Sequence, residues 1–245
     1  MKIIKLNAID STNSYLRRLS LENKLEDYTV AVAKYQTQGR GQMGTKWNAE
    51  DGKNLTFSIY KKVSCVSKED QFCLSMAVSL AVQSALSYFM IPQLKIKWPN
   101  DILSANKKLC GILIENVIQN GELTAAIVGI GLNVNQTNFE DGLFSASSLK
   151  KISGIHYNHD EIMTKILERI KVYEEMIIKK KYEELKAIYE DELFRKDKPS
   201  TFKDNTTDEL FMGFIKGISK TGMLQIMLEK EEVRDFDLKE VKLLY

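Results

Sequence analysis

Asn120-Gly121 stands between two apolar runs, 108–118 and 123–135, and restricts the fold more tightly than any other local feature. A type I′ turn needs positive φ at both central residues. Asn-Gly supplies this, and the turn's twist matches that of two antiparallel strands. The run before it, 94–103, leads into a polar turn at Ala105-Asn106, which predicts a second hairpin with 108–117. Residues 28–35 and 54–60, rich in Val, Thr, Phe, Ile and Tyr, read as further strands. Helical spacing alternates with these strands. Ser11 or Thr12 caps a short helix with Tyr15, Leu16 and Leu19 on one face, and Leu74, Val78, Val82 and Leu86 mark a longer one. Across 160–194 two apolar stripes follow each other, Ile162, Ile166, Ile170, Tyr173 and Ile177, then Tyr182, Leu185, Ile188 and Tyr189. Their opposite faces are solvated Lys and Glu.

Composition narrows the function classes. Hydrophobic residues are 44% and charged residues 28% of 245, ordinary for a globular chain that needs no staples. Lys+Arg 35 against Asp+Glu 33 leaves +2, too little for a general field toward nucleic acid or an anionic membrane. Cys65, Cys73 and Cys110 are an odd number without CxxC spacing, which excludes a disulfide scaffold and a structural zinc site and fits a reducing compartment. The first ten residues carry no signal-peptide h-region. The apolar stretch 72–91 is interrupted by Ser75, Ser79, Gln83, Ser84 and Ser87, so it reads as a core helix rather than a membrane span. A cytoplasmic protein is expected. Composition shifts at Arg195-Lys196-Asp197-Lys198-Pro199. Short strands at 211–219, 223–228 and 233–236 then suit a small barrel packed on the larger part. The expected division is 1–195 and 196–245.

Four segments could carry chemistry. Residues 36–47 contain Gly39-Arg40-Gly41-Gln42-Met43-Gly44, a GxGxxG pattern after a strand. No apolar helical stripe follows, so the dinucleotide-binding turn is excluded. The glycines, Arg40 and Lys46 instead describe a mobile loop whose N–H groups surround an anion, anchored by Trp47. Lys97-Trp98-Pro99-Asn100-Asp101 places a carboxylate where it could take a proton or hold a metal. Lys107-Lys108-Leu109-Cys110-Gly111 opens the next strand, with Gly111 marking a bulge or close backbone approach. In Gly129-Ile130-Gly131-Leu132-Asn133-Val134-Asn135, the two glycines suggest a flat ligand against the backbone, with Asn133 and Asn135 reaching a base or ribose. His156 and His159 lack nearby Cys or carboxylate partners for a metal site. No Walker loop, HExxH or Ser-His-Asp signature is present.

Taken in order, Ser11-Thr12-Asn13, Gln36 with residues 39–47, Lys97–Asp101 with 108–115, and 129–133 resemble the biotin–protein ligases, also called biotin–[acetyl-CoA-carboxylase] ligases, over residues 1–135. The resemblance implies an α+β fold: a mixed, largely antiparallel sheet flanked by helices, with a small C-terminal SH3-like β-barrel. It implies biotin contacts from Ser11, Thr12, Asn13, Gln36, Gly39, Arg40, Gly41, Lys108 and Gly111. ATP or adenylate contacts would come from Arg40, Gly41, Gln42, Trp47, Asn100, Lys108 and Asn133. Lys108, Arg40 and Asp101 are the implied catalytic groups, with Asp101 the candidate Mg²⁺ ligand. Gln42, Met43 and Thr45 stand where the family loop often carries arginines, so weaker retention of the adenylate is expected.

Such a ligase activates biotin with ATP and Mg²⁺ as biotinyl-5′-AMP, then passes it to a lysine of a biotin carboxyl carrier protein domain. With Ser11-Thr12-Asn13 this early, an N-terminal helix-turn-helix domain is not expected, nor a DNA or membrane partner; the chain would be a monomer or homodimer. A lipoate–protein ligase is the nearest rival. A nucleic-acid-binding module built on the barrel and residues 195–198 is the rival of another class, opposed by Glu231, Glu232, Asp235 and Asp237.

Overall fold

Alternation along the central strands decides which residues meet which layer of the molecule. The structure, a computed structural model, describes residues 1–22, 24–63, 67, 70–119, 122–139 and 145–245. Its first part runs β1 (Lys2–Ile9), α1 (Thr12–Glu22), β2 (Thr29–Gln36), β3 (Leu55–Lys62), α2 (Phe72–Tyr88), β4 (Leu94–Lys97), β5 (Asp101–Ser104), β6 (Lys107–Gln119) and β7 (Glu122–Leu132). The seven strands form one sheet in the order β1-β2-β3-β7-β6-β5-β4. Only β1 and β2 pair in parallel, so the sheet is mixed and largely antiparallel.

Val30, Phe57, Ile59, Val128 and Ile130 join the main core with α2 and with α4 (His159–Ile178) and α5 (Tyr182–Asp191), which follow the short α3 (Leu149–Ser153). Each fully buried Leu, Val or Ile in this layer contributes about 1.5–3 kcal/mol. Ala31, Tyr60, Val117, Ala125 and Ile127, one residue out of phase, cluster with Leu16 of α1 on the other face. The helices thus flank the sheet on both sides.

The rest of the chain forms a second, antiparallel sheet from β8 (Pro199–Asp204), β9 (Leu210–Ile218), β10 (Leu224–Met227), β11 (Val233–Phe236) and β12 (Val241–Leu244), ordered β11-β10-β9-β8-β12. Phe211 stacks between Phe202 and Phe236.

Two expectations need correction. Residues 94–103 are not one strand: the chain reverses at Trp98-Pro99-Asn100, and β4 pairs with β5 through Lys97 opposite Asp101. Pro99 lacks a ladder N–H, and three side-chain bonds fix the turn. Trp98 Nε1 donates to the Gly222 carbonyl, Tyr189 Oη to the Pro99 carbonyl, and Asn100 Nδ2 to the Ile112 carbonyl. Strands β1, β8 and β12 were not anticipated, because Lys2, Lys5 and Asn7, or Pro199 and Lys203, dilute their apolar pattern. The β6·β7 hairpin is present as expected. Asn120, Gly121 and Cys65 lie outside the described residues. Cys73 and Cys110 are buried. Among the described residues no helix is long and apolar enough to cross a membrane.

Candidate active site

Strand register assembles the site. Thr56, Gly131, Gly111, Asp101 and Lys97 lie side by side across β3, β7, β6, β5 and β4. The next row is Ala31, Ser58, Gly129 and Leu113, and the row beyond is Tyr60, Ile127 and Glu115. Directly opposed residues of antiparallel strands share a face. This face is apolar under Leu16 and becomes glycine and hydroxyl beyond the start of α1. A cavity of about 290 Å³ opens there, at the lower end of the range for small-molecule sites.

One end of the cavity is polar and buried. Ser11 precedes α1 at its N-cap, and Thr12, Asn13 and Ser58 are buried. Gln36 Oε1 accepts from Thr12 N at 2.7 Å and Thr12 Oγ1 at 3.0 Å. Ser58 Oγ lies 2.7 Å from Thr12 Oγ1 and 2.5 Å from Asn13 Oδ1. Asn13 Nδ2 donates to Glu115 Oε2 at 2.7 Å. Beside Ser11, the Arg18 guanidinium holds the Asp10 carboxyl at a pKa of about 2.

The other end is charged. A bulge between Ile102 and Leu103 in the β5·β6 pairing re-aims Lys108 onto the glycine row. Its Nζ sits 2.7 Å from Asp101 Oδ1. Lys97 is held below the usual lysine range, chiefly by burial, with Lys108 and Lys242 adding repulsion that Asp101 opposes. Burial pushes the Cys110 thiol up, so it is no nucleophile here. Among the described residues no cluster of three His, Cys, Asp or Glu could hold a metal. Asp101 is the one carboxylate lining the cavity among the described residues.

The glycine loop closes on itself. Gly41 N donates to the Thr45 carbonyl at 2.7 Å, Trp47 N to the Gly39 carbonyl at 3.0 Å, and Thr45 N to the Gln42 carbonyl at 3.0 Å. Three of the amides expected to surround an anion are therefore engaged within the loop. Arg40 Nη2 pairs with Glu115 Oε2 at 2.8 Å. The Trp47 indole lies over Gly131 and Gly111, and its Nε1 is buried without a protein partner. The flat group that the strand glycines accommodate is thus the protein's own indole at Gly131, and the Asn13 amide at Gly129.

Ser11, Thr12, Asn13, Gln36, Arg40, Gly41, Gln42, Trp47, Asp101, Lys108 and Gly111 all line the cavity. Gly39, Asn100 and Asn133 do not. Gly39 lines an outer groove, where a Cβ would collide with the Trp47 carbonyl. Asn100 and Asn133 are buried, their amides donating to the Ile112 and Ser147 carbonyls. Asn135 is likewise committed to Tyr157, and His159 to Asn135 and the Lys53 carbonyl.

Residues 6–133 match the model of the Biotin/lipoate A/B protein ligase family. The chain belongs to this family. It is 28% identical over 167 residues to the bifunctional ligase/repressor BirA of Salmonella typhimurium, covering 68% of this chain and 51% of that protein. It is 36% identical over 129 residues to a biotin–[acetyl-CoA-carboxylase] ligase of Mycobacterium tuberculosis, 51% of this chain and 47% of that one. The chain therefore spans about half the length of these curated relatives. Among solved structures, biotin protein ligase from Aquifex aeolicus in complex with biotin and ATP superposes with a TM-score of 0.83 at 27% identity, covering 99% and 98% of the two chains. The α+β fold with a C-terminal SH3-like unit is shared along that whole length.

Three residues were not foreseen. Ser58 is a hydroxyl in an apolar strand, and Leu238, from the turn before β12, lines the cavity from the small sheet. Glu115 is an acid in phase with Gly111 and Leu113 along β6; that period-two position was the available signal.

Proposed function

We propose that the chain is a biotin–protein ligase, which joins biotin to AMP using ATP and then passes it to a lysine of a biotin carboxyl carrier protein domain. The observation that carries this reading is one cavity with a buried hydroxyl–amide end and a Lys108–Asp101 end. Biotin is an apolar bicycle with a urea edge and a carboxylate. The urea edge pairs with Ser11, Thr12, Asn13 and Gln36; without it Thr12 and Gln36 bond each other, Asn13 bonds Ser58 and Glu115, and Ser11 Oγ accepts from Ser14 N. An unpaired buried polar group would cost about 1–3 kcal/mol.

Attack of biotin's carboxylate on the α-phosphate brings two anions together and expels pyrophosphate. Lys108 and Arg40 are the cations for that charge, each held in place by a carboxylate before substrate arrives. Trp47 closes the cavity against water, which would hydrolyse the mixed anhydride. In the transfer step the acceptor amine must lose a proton, since free lysine has a pKa of about 10.4. Asp101, whose Oδ1 lies 2.7 Å from Lys108 Nζ, would receive it. A Mg²⁺ ion fits as a companion of the nucleotide, because one carboxylate plus substrate phosphates is its usual environment; Asp101 would hold it and it would screen the phosphate charge.

Residues 1–195 form the biotin- and ATP-binding domain in this reading, and 196–245 the small domain that lends Leu238. The basic run at 195–198 does not act on nucleic acid: Lys196 pairs with Asp191, and Arg195 is bound to Ser200 and Pro199. The protein works in the cytoplasm beside its carboxylase, as monomer or homodimer.

The test is pyrophosphate release from ATP and Mg²⁺ with biotin, with lipoate, and with neither. Biotin-dependent release without an acceptor supports the reading. Lipoate-dependent release transfers the same chemistry to the other acid of the family, and silence with both overturns it.

A further inference from the structure

We propose that Glu115 is a positioning residue that fastens the glycine loop through Arg40 and so sets how long an acyl-adenylate stays in the cavity; the second half of this statement rests on the ligase reading. Glu115 comes from the middle of β6, opposite Ile127 of β7, so its backbone is held by the β6·β7 ladder, while the pairing with β5 ends at Gly111. Its side chain is 19% exposed, against 43% for Arg40. One oxygen, Oε2, accepts both Arg40 Nη2 at 2.8 Å and Asn13 Nδ2 at 2.7 Å. Asn13 is itself locked by Ser58 at 2.5 Å.

Glu115 lines the outer groove and not the cavity, whereas Arg40 lines both. The carboxylate therefore grips the guanidinium from outside. Arginine has five donors in a planar fork, so donors remain for an anion inside. Around Arg40 the loop's own backbone bonds, Gly41 to Thr45 and Trp47 to Gly39, make a closed unit that bears the Trp47 indole. That unit has one ion pair to the sheet among the described residues, and it is this one. Gln42, Met43 and Thr45 offer no second cation to anchor it. The chain Arg40–Glu115–Asn13–Ser58–Thr12–Gln36 then links loop closure to the pocket that would hold the urea edge.

The experiment uses the full chain and two readouts. Trypsin cleavage after Lys46 reports loop opening in ligand-free protein and needs no activity. Glu115→Gln should speed it roughly three- to tenfold, as expected for loss of one charge-assisted hydrogen bond. Arg40→Ala should speed it equally, since the pair is broken from either side. Glu115→Gln added to Arg40→Ala should then change nothing. Dissociation of preformed biotinyl-adenylate should rise by a similar factor in Glu115→Gln and show the same non-additivity. Unchanged cleavage in Glu115→Gln, or an equal further increase in the Arg40→Ala background, would overturn the proposal. Wild-type protein that forms no adenylate would instead remove the ligase reading and leave the cleavage arm to judge the latch.

Discussion

A methyl group added at Gly131 would sit 2.5 Å from Trp47 Cε2 and 2.8 Å from Cδ2 and Cζ2. Non-bonded carbons rest at about 3.5–4.0 Å, so in Gly131→Ala the indole must retreat by about 1 Å. At Gly111 the same methyl meets Lys108 Cε and Nζ and Trp47 Cζ3 at 3.3 Å. The lysine end is flexible, and a few tenths of an ångström suffice. Gly131→Ala should therefore cost about 1–3 kcal/mol in urea unfolding, the usual range for overpacking, and Gly111→Ala less than about 1 kcal/mol. Adenylate formation should fall by up to about 10²-fold in Gly131→Ala, the order that a 1 Å misplacement costs. The decisive measurement is the cycle with Trp47→Ala. Without the indole, Gly131→Ala should be neutral or should stabilise by up to about 1 kcal/mol, because alanine restricts the unfolded chain. The same destabilisation in both backgrounds would refute the claim that the glycine exists to admit the ring.

Lys108→Ala should lower the rate of adenylate formation by about 10²–10³-fold, the loss typical of one preorganised donor; a burst assay showing less than tenfold would remove its assigned role. Asp101→Asn should impair transfer to the acceptor lysine by about 10²-fold or more, measured in single turnover with preformed adenylate. Tyr189→Phe leaves the Pro99 carbonyl without its 2.7 Å donor and should cost about 1–3 kcal/mol in urea unfolding. Burial holds the His159 imidazole below its ordinary range. Below the unfolded value of about 6.5 the unfolded chain then binds the extra proton, so stability is full above pH 6.5 and declines as pH falls. Melting midpoints from pH 7.5 to 5.5 should drop more for wild type than for His159→Asn, and equal slopes would refute the assignment.

The sequence disclosed those parts of the fold whose pattern is local. The β6·β7 hairpin and α2 were legible because alternation and helical spacing are written into consecutive residues. The reversal at Trp98-Pro99-Asn100 was not, because 94–103 reads as one run and the bonds that bend it involve Tyr189, Gly222 and Ile112. β1 was hidden by its position: at the edge of the sheet its lysines point to water, so alternation carries little apolar signal. The site was legible as a set of segments but not as an arrangement. Asn100 and Asn133 looked like ligand contacts because short amides near glycines suit that work. A buried backbone carbonyl can claim the same amide, and only tertiary structure shows which partner is present. Glu115 was missed for the converse reason, since its partner lies 75 positions away in a loop.

The two cations of the site obey one rule. Lys108 is set by Asp101 on the neighbouring strand and Arg40 by Glu115 on the same sheet, at opposite ends of a floor made of Gly111, Gly129 and Gly131. A carboxylate partner weakens the field of each cation on a ligand, and it also fixes where that cation stands. For a reaction between two anions the second effect outweighs the first: preorganised charge in a site shielded from water costs no reorganisation when charge develops, whereas a mobile cation would lose entropy at that moment. The arrangement carries a further consequence. With one loop arginine in place of several, closure depends on a single ion pair whose arginine is 43% exposed, so salt should weaken it. Rising ionic strength should speed release of the adenylate more than it slows adenylate formation at Lys108, whose side chain is 34% exposed. A parallel salt dependence of the two rates would mean that both ends respond to one common field, and the separate roles given to Glu115 and Asp101 would fall together.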